Sequence, residues 1–549
     1  MKQVLESRVL EALAKLGIEN AEVAIEHPGD ISHGDYATGA ALRYAKQLSL
    51  SPKITAESIV ANLGTIEGVE RVEIAGPGFI NFYLSKDAIA SAVEVARSED
   101  MWGANSSLVG KKIMVEYTDP NPFKEFHIGH LMSNAIGESI SRLLQFSGAE
   151  VKRANYQGDV GPHVAKTIWA VKTKKVAAGS WGEAYVIGNK AYETDEVAKK
   201  EIEEINAKVY DRSDDEINEL YDAGRTSSLA HFEELYKILG TKFDHYFFES
   251  ATAPRGIAIV KAHPTVFEES DGAVVYKGEK AGLHTRVFLT SKGLPTYETK
   301  DLGLAELKNE TWPSDVSVTV TASEQKEYFA VVRAAMREIM PAIESRIEHV
   351  THGMMRFAEG KMSSRTGNVI TGESLINDLA EAAKERASES RSDDKDALAQ
   401  QVAVAAVKYQ VLKQVAGKDI IFDRERALSL EGDSGPYLQY AHARTHGIVE
   451  KAKEQNVAPN TDADEAINEV GKLLHRFPEI VEYAAEEREP HLLTTYLTAL
   501  ASAFNSWYAQ EQILDGTPAA AHKVAITDAV RRTLKNGLWI LGIPAPEKM

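Results

Sequence analysis

His127 and His130, with Gly129 between them, stand where an apolar stretch gives way to a run with helical period. The surrounding segment, Lys111 to Leu144, reads KKIMVEYTDPNPFKEFHIGHLMSNAIGESISRLL. Ile113 to Tyr117 is apolar and β-prone, and Glu116 falls where that strand ends. Pro122 marks the loop, and Met132, Ile136, Ile140 and Leu143 recur on one helical face. The two histidines therefore flank a helix start, where unpaired N–H groups and the dipole favour phosphate and imidazoles add donors. Gly129 leaves room for a flat base against the backbone. In an open parallel α/β sheet such a junction is where ligands sit, beyond the carboxyl ends of the strands. Spacing alone is weak evidence, because His349 with His352 and His442 with His446 repeat it. A zinc reading lacks both a third ligand and an HExxH frame.

The run NPFKEFHIGHL resembles the HIGH signature of class I aminoacyl-tRNA synthetases, and EGKMSSRTGNVI, from Glu359 to Ile370, resembles their KMSKS signature. The two occur in the expected order about 230 residues apart, with room for an insertion in a split nucleotide-binding fold. The resemblance implies ATP, carried with Mg2+, between His127, Gly129 and His130 on one side and Lys361, Met362, Ser363 and Ser364 on the other. Here the second signature is KMSSR, so Ser364 replaces its second lysine. Lys124, upstream of HIGH, is the expected substitute.

Two further strand-to-helix junctions follow. LPTYETKDLGLAEL places Tyr297 and Asp301 four residues apart, and DVSVTVTASEQKEYF leads from a strand at Val316 to Thr321 into a helix start holding Gln325. Together with Glu116 and Asn121 these make one crevice. A guanidinium is planar, permanently charged and carries five donors, so it suits two acids surrounded by neutral acceptors. By pattern alone Asp301 is equally well a helix cap. EYTDPN, TYETKD and SEQKEYF also resemble the arginine-binding motifs of the arginyl-tRNA synthetase family. That resemblance implies that Glu116, Tyr297 and Asp301 face the guanidinium while Asn121 and Gln325 hold the head group.

The chain of 549 residues is 44% apolar and 26% charged, ordinary for a soluble multidomain protein. No signal-peptide or membrane-span pattern interrupts it, so a cytoplasmic protein without a membrane partner is expected. With no cysteine, disulfides and Cys-based zinc sites are excluded, and no metal beyond nucleotide-bound magnesium is expected. The net charge of −19 excludes a generally basic binder of nucleic acid such as DNA, and leaves tRNA docking to local basic surface.

The expected fold class is multidomain α/β, in three blocks. Residues 1–105 form an α+β appendage, with strands around a Gly-Pro-Gly turn at Gly76–Gly78. Residues 106–385 form a Rossmann-like domain with a helical insertion at about 165–285, and residues 386–549 a helical bundle. GDYATGAALRYAKQL and EIAGPGFINFYL resemble the tRNA-contacting appendage of the arginyl family, with Asn81 a candidate contact. DSGPYLQYAHAR, FNSWYAQEQIL and LGIPAPEKM resemble its anticodon-binding domain, with Tyr437, Gln439, Tyr440 and Arg444 as candidates for stacking on and reading bases. The resemblance implies an arginine–tRNA ligase, usually monomeric, acting on L-arginine, ATP and tRNA(Arg). The alternatives are another class I specificity, a small nucleotidyltransferase using the same His-x-Gly-His device, or a non-catalytic tRNA-binding relative.

Overall fold

Ile113, Met114 and Val115 are all but inaccessible to solvent, as befits a strand covered on both faces of a parallel sheet. They belong to β1 (Lys112–Glu116), which runs through a loop into α1 (Ile128–Phe146) and then β2 (Glu150–Gln157). The chain continues through β3 (His245–Phe248), α2 (Glu249–Ala262), α3 (Tyr297–Thr311), β4 (Val316–Ala322), α4 (Lys326–Ile339) and β5 (Ile347–His352). The strand order is β5-β4-β1-β2-β3, and every neighbouring pair is parallel. The order reverses between β1 and β4, which opens a crevice at their carboxyl ends. The computed structural model describes residues 1–174, 176, 180–358, 370–386, 392–461 and 468–549. Lys361, Met362, Ser363 and Ser364 lie outside the described residues.

The helical insertion is shorter than the expected 165–285. Helices Pro162–Lys174, Trp181–Thr194, Glu196–Asp211 and Asp215–Leu239 pack around Trp169, Trp181, Ile202 and Tyr221. The chain then returns to the main sheet as β3, where Phe247 packs with Met114 and Ala154. A separate antiparallel sheet of Phe267–Ser270, Ala273–Tyr276 and Arg286–Leu289 lies between α2 and α3 in sequence.

The chain divides into two compact units. One comprises Met1–Gly103, Ala441–Glu479 and Ala499–Asn536; the other Ala104–Tyr440, Ile480–Thr498 and Gly537–Met549. The expected boundary at 386 therefore falls inside the second unit. Helix Lys395–Leu412 is buried nearly all round, and its Lys408 Nζ donates to the carbonyl oxygens of Leu239 (2.7 Å) and Gly542 (2.9 Å). Strand Ile420–Phe422 also pairs with Met355–Phe357 in this unit.

In the first unit, Val69–Ala75 and Phe79–Leu84 form the expected hairpin, and Tyr36–Thr38 pairs along its other edge. The Tyr36 hydroxyl donates to Glu479 (2.7 Å) and His27 Nε2 lies 3.0 Å from the same carboxylate. Residues from both ends of the chain thus share one polar cluster. No helix among the described residues is long and apolar enough to cross a membrane.

Candidate active site

The loop between β1 and α1 turns through left-handed backbone at three residues that are not glycine. Thr118, Asp119 and Phe123 all have positive φ (77°, 45° and 69°), a conformation costly for residues with a Cβ and most so for a β-branched threonine. The loop is fixed by the Thr118 N–H donating to Ser133 Oγ (3.0 Å), the Phe123 N–H to Ser228 Oγ (3.0 Å), and the Tyr156 N–H to Asp119 Oδ1 (2.7 Å).

At the start of α1 the two histidines cap the helix reciprocally. The His130 N–H donates to His127 Nδ1 (3.4 Å), the His127 N–H donates to His130 Nδ1 (3.2 Å), and the rings stack with centroids 3.4 Å apart. Each Nδ1 is an acceptor, so the proton of each neutral ring sits on Nε2 and remains for a ligand. Desolvation and the charges of Lys124 and His352 hold His127 down at about 4; burial, His127 and Lys124 hold His130 well below the usual imidazole range. Both rings are neutral donors at pH 7. A Cβ at Gly129 would come within 3.0 Å of the His127 ring, so glycine keeps that ring in place. Lys124 lies on the same loop with its ammonium 4.9 Å from the Tyr185 ring centroid, and burial and Lys166 lower its pKa.

The flanks of the second signature meet this end of α1. Thr371 pairs with His127 as an antiparallel bridge, and the Gly372 N–H donates to the Phe126 carbonyl (2.7 Å).

Beyond the carboxyl ends of β1 and β4 lies a cavity of about 470 Å³. Glu116, Asn121, Tyr297, Asp301 and Gln325, the five candidates drawn from three separate junctions, all line it. His127, His130 and Lys124 do not. Glu116 is buried, with Lys308 Nζ 3.0 Å from its Oε2. Asp301 accepts from the Tyr328 hydroxyl. Burial, together with the charges of Glu116, Glu249 and Glu298, pushes Asp301 up to about 8. Burial and Glu116 likewise raise Asp119 well above the carboxylate range. Five acids, Glu116, Asp119, Glu249, Asp301 and Glu324, line the cavity against three cations, Arg286, Lys308 and Arg346, so the pocket is acidic and suited to a further cation.

Among the lining residues that escaped the sequence reading are Asp119, Gly158, Lys308 and Tyr328. Gly158 is required by the close approach of Asn121, whose Oδ1 would lie 2.2 Å from a Cβ there. Its position directly after a strand was the available signal.

The candidates outside this site fare differently. Gln439 is fully buried and its amide donates to the carbonyl oxygens of Gln401 (3.3 Å) and Pro544 (2.9 Å), so in this conformation it bridges backbone and is not at the surface. Tyr437 and Asn81 are also buried, at 9% and 5% exposure, which removes both as surface contacts in this conformation. Tyr440 and Arg444 are half-buried; Arg444 donates to Asn505 (2.5 Å) and lies over the Tyr508 ring. Among the described residues no cluster of three or more His, Cys, Asp or Glu side chains could hold a metal ion.

The family model for the catalytic domain of class I tRNA synthetases (R) matches residues 94–424. The chain belongs to the arginyl-tRNA synthetase family. The DALR anticodon binding domain model matches residues 438–549, and the arginyl tRNA synthetase N terminal domain model residues 3–84. An arginine–tRNA ligase of Lactococcus lactis subsp. cremoris (strain MG1363) is 32% identical, with 97% of each chain covered. One from Treponema denticola is 31% identical over 96% of this chain and 95% of the relative. Among solved structures, Thermus thermophilus arginyl-tRNA synthetase superposes over the whole of both chains with a TM-score of 0.83 at 27% identity. The family's catalytic domain contains the parallel sheet, the histidine pair and the acidic cavity.

Proposed function

We infer that this chain is an arginine–tRNA ligase that joins L-arginine to the 3′ end of tRNA(Arg) in two steps. The observation that carries the reading is the acidic cavity beside the neutral histidine pair, in a chain that matches arginine–tRNA ligases over nearly its full length. In the first step the arginine carboxylate attacks the α-phosphate of ATP and pyrophosphate leaves. In the second, a terminal ribose hydroxyl of the tRNA takes the arginyl group and AMP leaves. No protein nucleophile is needed, so catalysis is alignment and stabilisation of charge on the five-coordinate phosphate.

Glu116, Asp301 and Tyr297 receive the guanidinium, and Asn121 and Gln325 hold the amino and carboxylate groups. His127 and His130 donate from Nε2 to ATP, Gly129 lets the base lie against the helix start, and Lys124 stands in for the lysine missing from KMSSR. Mg2+ travels with ATP. Lys361, Met362, Ser363 and Ser364 of the second signature serve the ATP phosphates. Tyr440 and Arg444 remain the candidates for contacting the anticodon loop. The enzyme works as a monomer in the cytoplasm.

The test is pyrophosphate exchange dependent on arginine, measured with and without tRNA; exchange only with tRNA is expected. Exchange driven by another amino acid would overturn the reading. Asp301→Asn should raise the arginine KM or cut kcat/KM by at least about 100-fold, the scale of losing a buried charged hydrogen bond of about 3 kcal/mol. Lys124→Ala should slow exchange while leaving the arginine KM within about threefold; intact exchange would remove Lys124 from its role.

A further inference from the structure

Asp301, Leu304, Ala305 and Lys308 line the cavity from one face of α3, as residues three, four and seven apart on a helix must. The side chains of Lys308 and Glu116 are 10% and 5% exposed, and their charged atoms are 3.0 Å apart. Despite that proximity, Glu116 Oε2 accepts no hydrogen bond from any described residue. The lysine approaches off the acceptor direction, neutralising charge while leaving a buried lone pair without a donor. Such an acceptor is costly to leave unmade and is completed by an incoming N–H.

We propose that Lys308 is a specificity-determining residue of this cavity, a resident ammonium that occupies the point-charge position beside Glu116 and leaves its open acceptor to a guanidinium. The inference rests on the arginine reading given above. A ligand ending in an ammonium is a compact charge that gains most by sitting between the carboxylates Glu116, Asp119 and Asp301. Lys308 already stands beside Glu116, so a second ammonium there meets like-charge repulsion at close range. A guanidinium spreads its charge over a plane and is weakly hydrated. It can donate one edge to Glu116 Oε2 and another to Asp301 without displacing Lys308. The cavity thus rejects lysine by a cation of its own as well as by shape.

The experiment is pyrophosphate exchange in the presence of tRNA, using L-arginine and L-lysine, with wild type, Lys308→Met, Lys308→Gln and Lys308→Arg, each checked by thermal melting. In the Met variant the kcat/KM for L-lysine should rise tenfold or more. The preference for arginine over lysine in kcat/KM should fall at least tenfold. Lys308→Arg, which keeps a cation on the same helix face, should retain the preference. Lys308→Gln, closer in shape and polarity, carries the same expectation should the Met variant fail to fold. A neutral, folded variant with unchanged preference overturns the proposal, as does an Arg variant that loses preference as fully as the neutral ones. Wild-type exchange that does not depend on arginine overturns the underlying reading as well, which distinguishes the two failures.

Discussion

Burial and the charges of Glu116, Glu249 and Glu298 push the Asp301 carboxyl up to about 8, although the Tyr328 hydroxyl that donates to it favours ionisation. Without a cation beside it, Asp301 keeps its proton at pH 7, and a guanidinium that binds the carboxylate must release that proton. Binding therefore strengthens as pH rises toward 8 and levels off above it. The arginine KM is expected to fall by up to about tenfold per pH unit below that point. Exchange kinetics between about pH 6.5 and 9 measure this, and a KM independent of pH would exclude a protonated Asp301. Gly158→Ala tests the other wall: a Cβ 2.2 Å from Asn121 Oδ1 must displace that amide, so the arginine KM should rise about tenfold while the melting temperature changes little. That Glu116, Asn121, Tyr297, Asp301 and Gln325 line one cavity was legible from their strand-to-helix junctions together with the resemblance of their motifs, since by junction alone Asp301 was equally well a helix cap. Asp119 was hidden because its role depends on the left-handed turn that aims it inward, and Lys308 because it lies two helical turns past the motif.

The strand and helix that carry these residues are tied together by one buried acid. Glu138 on α1 accepts from the Tyr117 hydroxyl (2.5 Å), Arg142 Nε (2.6 Å) and Arg153 Nε (3.2 Å) on β2. Burial alone would raise this carboxyl, but Arg142, Arg153 and Lys408 outweigh it and hold it at about 2. Its folded pKa lies below the unfolded value near 4.5, so the stability it supplies is present above that value and is lost as pH falls toward 2. Glu138→Gln removes the buried carboxylate from two half-buried guanidinium groups and should cost about 2–4 kcal/mol, read as a lower urea midpoint at pH 7. A loss below about 1 kcal/mol would mean that the network does not hold the sheet to α1. The helical stripe of α1 was plain in the sequence, because Met132, Ile136, Ile140 and Leu143 repeat with its period. β3 was not, since a strand of four residues is too short to show alternation and its place is set by Phe247 meeting Met114 and Ala154. Nor was the membership of helix Lys395–Leu412, whose buried lysine bonds carbonyl groups 169 and 134 residues away.

The same distance effect governs the whole molecule. Three blocks were readable from composition and motif, yet the first compact unit joins Met1–Gly103 to two later segments, with Tyr36 bonded to Glu479 across 443 residues of sequence. Local pattern cannot reveal a pairing that only the fold creates. Net charge, in contrast, is a property of the sequence, and at −19 it bears directly on how a polyanionic tRNA can be bound. Two electrostatic effects compete. General repulsion between an acidic protein and RNA weakens with added salt and would make binding improve, whereas each phosphate held by a Lys or Arg releases counterions and makes binding worsen. The general repulsion acts at long range and is largely screened beyond about 8 Å at physiological ionic strength, while contacts to phosphate persist. Local contacts should therefore dominate, each neutralised phosphate adding about −0.7 to −0.9 to the slope of log affinity against log salt. For tRNA binding between about 50 and 200 mM salt, a slope steeper than about −3 is expected, and it should be the same with and without arginine if the contacts lie outside the cavity. A flat or rising line would mean that shape and base contacts, and not phosphate, bring the tRNA to the enzyme.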